Sequence, residues 1–155
     1  MGAGLSSPRT LQPIRVRITQ LAGQEPEAAI DGCGVPCRVL PLQAMARAWA
    51  RLAGAMADED GSHLARIGWE MNRHGWDVCK IGAEGLICGA LPHRRAGFAL
   101  EVHSGHSEAR AVATFALLAR LDPGLISPAA AEPWAVIHNV VGRPVGSRVA
   151  VWVRG

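Results

Sequence analysis

The sequence predicts an α+β fold with a mainly antiparallel sheet flanked by helices. Three observations lead there. Short apolar runs at 78–81, 86–91 and 97–103 are separated by Gly-Ala-Glu-Gly and Pro-His-Arg-Arg. Such connections suit antiparallel neighbours, because a parallel crossover takes about a dozen residues or more. Leu42, Met45, Ala46, Trp49, Leu52, Ala53 and Met56 recur at helical spacing along one stripe. The segment from Glu108 to Leu121 is apolar almost all round, the pattern of a buried helix. The three runs are expected to pair in sequence order, with helix 108–121 across one face of the sheet.

The elements follow in order. Residues 1–10 read as a flexible polar leader. Ile14, Ile18, Leu21 and Ala22 fall at helical spacing, and Gly23 ends that helix. Ala28–Ile30 and Arg38–Leu40 read as two short strands on either side of a Gly-rich loop. Pro41 stands where a first helical turn tolerates it, opening the helix with the apolar stripe. The run Asp58-Glu59-Asp60-Gly61-Ser62 breaks that helix, and Ser62 caps a second one running to about Arg73, closed by Gly75. In the third β run, Phe98, Leu100 and Val102 alternate with Ala99, Glu101 and His103, as in a half-exposed strand. Ser107 is the expected cap of helix 108–121, and Asp122-Pro123-Gly124 its stop. Ser127–Pro133 reads as a loop or one short turn, and the alternation of Val149, Val151 and Val153 as a final strand. No internal repeat stands out.

Composition narrows the function classes. The chain has 155 residues, 49% of them hydrophobic and 19% charged, with a formal charge of +3. The cations are 15 arginines and one lysine, scattered without a basic run or an aromatic-interleaved stripe. Nucleic-acid binding is therefore not expected. No segment approaches the ~20 apolar residues of a membrane span, and the first ten residues lack the apolar stretch of a signal peptide. A cytoplasmic location is expected. There Cys33, Cys37, Cys79 and Cys88 would be free thiols or ligands rather than a disulfide framework.

The chemistry concentrates in three blocks. Asp31–Leu42 reads DGCGVPCRVLPL, with an acid and a thiol one residue apart between two glycines. Lys80–Gly85 reads KIGAEG and holds the single lysine of the chain. Asn139–Gly146 reads NVVGRPVG. His103 and His106 form an H-x-x-H across a strand-to-helix turn, but no carboxylate completes a metal set, so they read as surface histidines. The five tryptophans are spread out and read as packing residues.

These blocks resemble a known family. Asp31–Leu42 is similar to the DGCGVPxxxLPL signature of the Rhizobium-type L-asparaginases, which are related in fold to serine β-lactamases and glutaminases. Lys80–Gly85 resembles the family's KxGAEG, and Asn139–Gly146 its NWxGxxVG, with Val140 in place of the tryptophan. The likeness runs from about Leu11 to Val153 and covers the second half of the family's usual length. One departure lies between Met56 and Lys80, where the family's Gly-rich AGxGRxxT segment is replaced by a shorter stretch. The resemblance implies that residues 11–155 form the C-terminal half of an asparaginase-like domain. It implies zinc held by Asp31 and Cys33 together with a Cys-x-x-Lys pair from the first half. It also puts Lys80, Gly82 and Glu84 at substrate-binding positions, with Lys80 lining the pocket.

Enzymes of this kind activate a serine with a Ser-x-x-Lys pair one helical turn apart. The single lysine has Asp77 three residues before it, so no such pair occurs in these 155 residues. The expected function is that of an L-asparagine amidohydrolase, releasing L-aspartate and ammonia, without its nucleophile half and so inactive alone. The alternative is a non-catalytic relic or binding domain of the same fold. The expected partners are L-asparagine and either a complementary N-terminal half or a second copy of the chain.

Overall fold

The computed structural model describes residues 8–72 and 78–152. The expected elements at Gly75 and Trp76, and the end of the expected last strand at Val153, lie outside the described residues. So do residues 1–7 of the expected leader, while Pro8–Thr10 form the first turn of a helix.

The element order is α1 (Pro8–Ala22), β1 (Glu27–Ile30), β2 (Pro36–Val39), α2 (Leu42–Asp58), α3 (His63–Met71), β3 (Val78–Ile81), β4 (Leu86–Leu91), β5 (Ala96–Glu101), α4 (Ser107–Leu121), α5 (Pro128–Ala135), β6 (Val136–His138) and β7 (Pro144–Ser147). A single 3₁₀ turn, Pro92–Arg94, joins β4 to β5. The described strands form a hairpin β1-β2, a sheet in the order β3-β4-β5, and a hairpin β6-β7. Both hairpins are antiparallel. The α+β class and the sequential pairing of the three middle strands therefore stand as the sequence predicts.

The chain divides into two compact parts. The first comprises the residues through Lys80 with Cys88–Ala99, the second Ile81–Ile87 with the residues from Leu100 on.

In the first part the core forms where α2 lays its stripe down. Leu52, Ala53 and Met56 bury against Val78 of β3 and Ala90 of β4, with Trp49 and Leu64 packed alongside. The helix meets the sheet at Gly97. A methyl group on that residue would lie 2.3 Å from the Ala46 carbonyl oxygen and 2.2 Å from the Ala50 nitrogen. The sheet side of this contact must therefore be glycine, and it lets α2 sit directly on β5. Ser62 caps α3 as expected, its hydroxyl accepting from the Ala65 amide at 3.1 Å. The C-terminal carbonyls of α1 are satisfied by two arginines of α2. Arg47 donates to Ala22 at 3.1 Å, and Arg51 to Leu21 at 2.9 Å. Cations at a helix C-terminus also complement its dipole.

The second part corrects four expectations. Helix α4 packs against α5, and its expected burial all round is not found: Thr114 and Leu118 are its buried residues. Its N-cap is His106, not Ser107, and no side chain caps it. Residues 128–135 form a helix instead of a loop: the Ser127 hydroxyl accepts from the Ala130 amide at 3.3 Å, and Pro128 opens the first turn. The strand expected at 149–153 is absent from the described residues 149–152. Val149 and Val151 are exposed there, and Arg120 sits 5.0 Å over the Trp152 ring. The last strand is instead β7, which pairs with β6.

Candidate functional site

The acid and thiol of the first block sit at the tip of the β1-β2 hairpin. Ile30 pairs with Pro36, leaving Asp31-Gly32-Cys33-Gly34-Val35 as the loop. The Gly34 amide donates to the Asp31 carbonyl at 2.9 Å, and the Asp31 amide to the Val35 carbonyl at 3.0 Å. Gly34 takes φ +76°, the left-handed position that closes this kind of turn and favours glycine. The Asp31 carboxylate organises the loop from within. Its Oδ1 accepts from the Cys33 and Val35 amides, both at 2.9 Å. Asp31 and Cys33 are both exposed, so the structure does bring this pair together at a surface.

The second block crosses the β3-β4 turn. Lys80 lies on β3 and is exposed, and it belongs to the first compact part. Gly82 and Glu84 lie on the turn, in the second. The Gly82 amide donates to Leu86 at 2.9 Å, and the Leu86 amide to Ala83 at 3.2 Å. Glu84 and Gly85 have φ of 52° and 84°. Two successive left-handed residues make this a type I′ turn, for which Asn-Gly is the usual sequence. Glutamate there is strained, at a cost of about 1–2 kcal/mol. Glu84→Gly is therefore expected to raise stability by about 1 kcal/mol, measured as a higher urea midpoint. A lower midpoint would mean that the Glu84 side chain holds the turn. The turn rests on the segment after β5: Val102 donates to the Gly85 carbonyl at 3.2 Å, and a methyl group on Gly105 would lie 3.7 Å from the Glu84 Cα.

Other ionisable groups fall outside these blocks. Arg110 of α4 reaches the Gly82 carbonyl at 3.5 Å, a contribution that no spacing in the sequence signals. Glu108 is shared between His106 Nδ1 at 3.0 Å and Arg148 at 3.5 Å, so the H-x-x-H segment is tied to a carboxylate that also pairs with an arginine. Burial pushes the Cys88 thiol up, against a smaller opposing contribution from a hydrogen bond with Trp49. Its sulfur lies 3.9 Å from Met45 Sδ, as expected of a core thiol. The Arg95 guanidinium bound to Asp58 holds that carboxyl below its ordinary range. This pair is exposed and screened by solvent.

The three blocks thus sit at tips and turns, positions that present side chains outward. The family model for L-asparaginase II matches residues 9–78 and 74–150, two stretches that together take in all three blocks. The chain belongs to the L-asparaginase II family. No curated protein matches it. Membership in the L-asparaginase II family makes a small-molecule substrate the expected class of ligand. No helix among the described residues is long and apolar enough to cross a membrane.

Zinc can be tested against the donors. Asp31 and Cys33 supply a carboxylate and a thiol, both suited to zinc, but a structural site takes four ligands. Among the described residues no group of three or more His, Cys, Asp or Glu side chains could hold a metal ion. One Asp31 oxygen is also engaged by two amides of its own loop. These residues by themselves do not fit a bound zinc ion.

Proposed function

We propose that this chain supplies one half of an L-asparagine amidohydrolase site and does not catalyse the reaction alone. The observation that carries the reading is the family match, which runs through the DGCG loop, the KxGAEG turn and the final NxxG block. Lys80 and Gly82 would form a wall of the asparagine pocket, the ammonium offering charge to the substrate carboxylate. Glu84 would be a substrate-binding residue by its place in the family's KxGAEG block. Asp31 and Cys33 would be half of a zinc site, completed by two donors from residues outside this sequence. The serine and its lysine would come from there as well, giving the complete enzyme the fold of a serine β-lactamase and a cytoplasmic setting.

A second reading has one specific observation in its favour. Val140, where the family carries a tryptophan, is fully exposed, and Val141 beside it is 71% exposed. A loop tip that has lost its aromatic residue suits a non-catalytic domain of the same fold. One experiment separates the two. The chain is mixed with a polypeptide carrying the family's Ser-x-x-Lys and Cys-x-x-Lys half, and ammonia release from asparagine is followed. Turnover in the mixture, and in neither component alone, supports the half-site. No turnover in a mixture that forms a complex supports the binding domain.

A further inference from the structure

The loop at Asp31 has a twin. Asn139-Val140-Val141-Gly142-Arg143 joins β6 to β7 as Asp31-Gly32-Cys33-Gly34-Val35 joins β1 to β2. The Asn139 amide donates to the Arg143 carbonyl at 2.9 Å, and Gly142 to the Asn139 carbonyl at 3.0 Å. Asn139 Oδ1 accepts from the amides of Val141 at 3.1 Å and Arg143 at 2.9 Å. Gly142 takes φ +76°, the value found at Gly34. A proline follows each loop and pairs across the hairpin, Pro36 with Ile30 and Pro144 with His138. The likeness ends at that pair. Beyond it β6-β7 has a shift in register between Ile137 and His138, while β1-β2 pairs without a break.

We infer that the two hairpin tips are one building unit used twice, and that its fold is indifferent to the two groups that distinguish the first copy. The unit needs a side-chain oxygen at its first position, a left-handed glycine at its fourth and a proline after its fifth. An amide oxygen supplies the first as well as a carboxylate does. At the second position a methyl group on Gly32 would meet nothing within 4 Å, and the twin carries Val140 there. At the third, Cys33 and Val141 each contribute a backbone amide. The charge of Asp31 and the thiol of Cys33 are thus additions to a tip that forms without them. The inference does not rest on the proposed activity.

The test measures amide exchange at both tips in the intact chain. The double variant Asp31→Asn, Cys33→Val is expected to keep wild-type protection at residues 33 and 35 and an unchanged urea midpoint. The reciprocal variant Asn139→Asp, Val141→Cys is expected to do the same at 141 and 143. Asp31→Ala and Asn139→Ala remove the acceptor and should lower protection at their own tips by about 5–30-fold, the ratio expected for one or two lost hydrogen bonds. Loss of protection in either exchange variant, on the scale of its alanine counterpart, would overturn the inference. So would alanine variants that leave protection intact. Zinc or asparagine binding affects neither result, so failure here is distinct from failure of the half-site reading.

Discussion

Gly97→Ala is expected to be the most damaging single methyl group in the described structure. The added carbon would lie 2.2 Å from the Ala50 nitrogen, 2.3 Å from the Ala46 oxygen and 2.7 Å from the Trp49 carbonyl carbon. All three are backbone atoms of α2, so no rotamer change relieves the clash. The helix must move off β5, and Leu52, Ala53 and Met56 move with it. Overpacking of this kind costs about 3 kcal/mol or more, a large share of the total stability of about 5–15 kcal/mol typical of a domain. Gly32→Ala is the control. Its methyl group meets nothing within 4 Å, and the residue is not in the left-handed region, so the change should stay within about 0.5 kcal/mol. Urea unfolding of the two variants checks both. Equal midpoints would show that α2 does not rest on the sheet at Gly97.

Lys80→Ala carries the largest expected effect on chemistry. In the mixture of this chain with the complementary half, the variant should lose about 10²–10³-fold in kcat/KM for asparagine. That is the usual penalty for deleting one preorganised electrostatic contact to the reacting substrate. Lys80→Arg keeps the charge but replaces a compact ammonium with a planar fork, and should recover only part of the loss. The readout is ammonia release across a range of asparagine concentrations. A Lys80→Ala variant with unchanged kcat/KM would remove this residue from the pocket wall.

Much of the fold was legible because local chemistry and long-range packing agreed. Ser62 reads as a cap and is one. The stripe from Leu42 to Met56 reads as a buried helical face, and its Leu52–Ala53–Met56 stretch is the core. Gly-Ala-Glu-Gly and Pro-His-Arg-Arg read as hairpin connections, and the strands on either side pair in order. Where expectations failed, the deciding signal was short or ambiguous. Ser127–Pro133 reads as a loop or one short turn, yet Ser127-Pro128 starts a helix that runs through Pro133 to Ala135. The valines at 149 and 151 alternate as a strand would, yet no described partner strand covers them, and Trp152 stacks under Arg120 instead. The strand that does form follows Asn-x-x-Gly-x-Pro, the same turn signal as Asp-x-x-Gly-x-Pro at residue 31. That repetition was present in the sequence and is recognisable once the type of turn is known. For the candidate site, only candidate residues could be named, from the three blocks. Their surroundings could not, because Arg110 against Gly82 and the left-handed Glu84 depend on the turn geometry rather than on residue order.

The central claim of the proposed function is that this chain carries no nucleophile and does not hydrolyse asparagine alone. It is tested most directly by incubating the purified chain alone with L-asparagine and zinc and measuring ammonia. The claim predicts no release above the protein-free blank, because losing a nucleophile and its base together costs on the order of 10⁶ in turnover. Ammonia release that rises linearly with protein, and disappears in Cys33→Ala or Lys80→Ala, would contradict it.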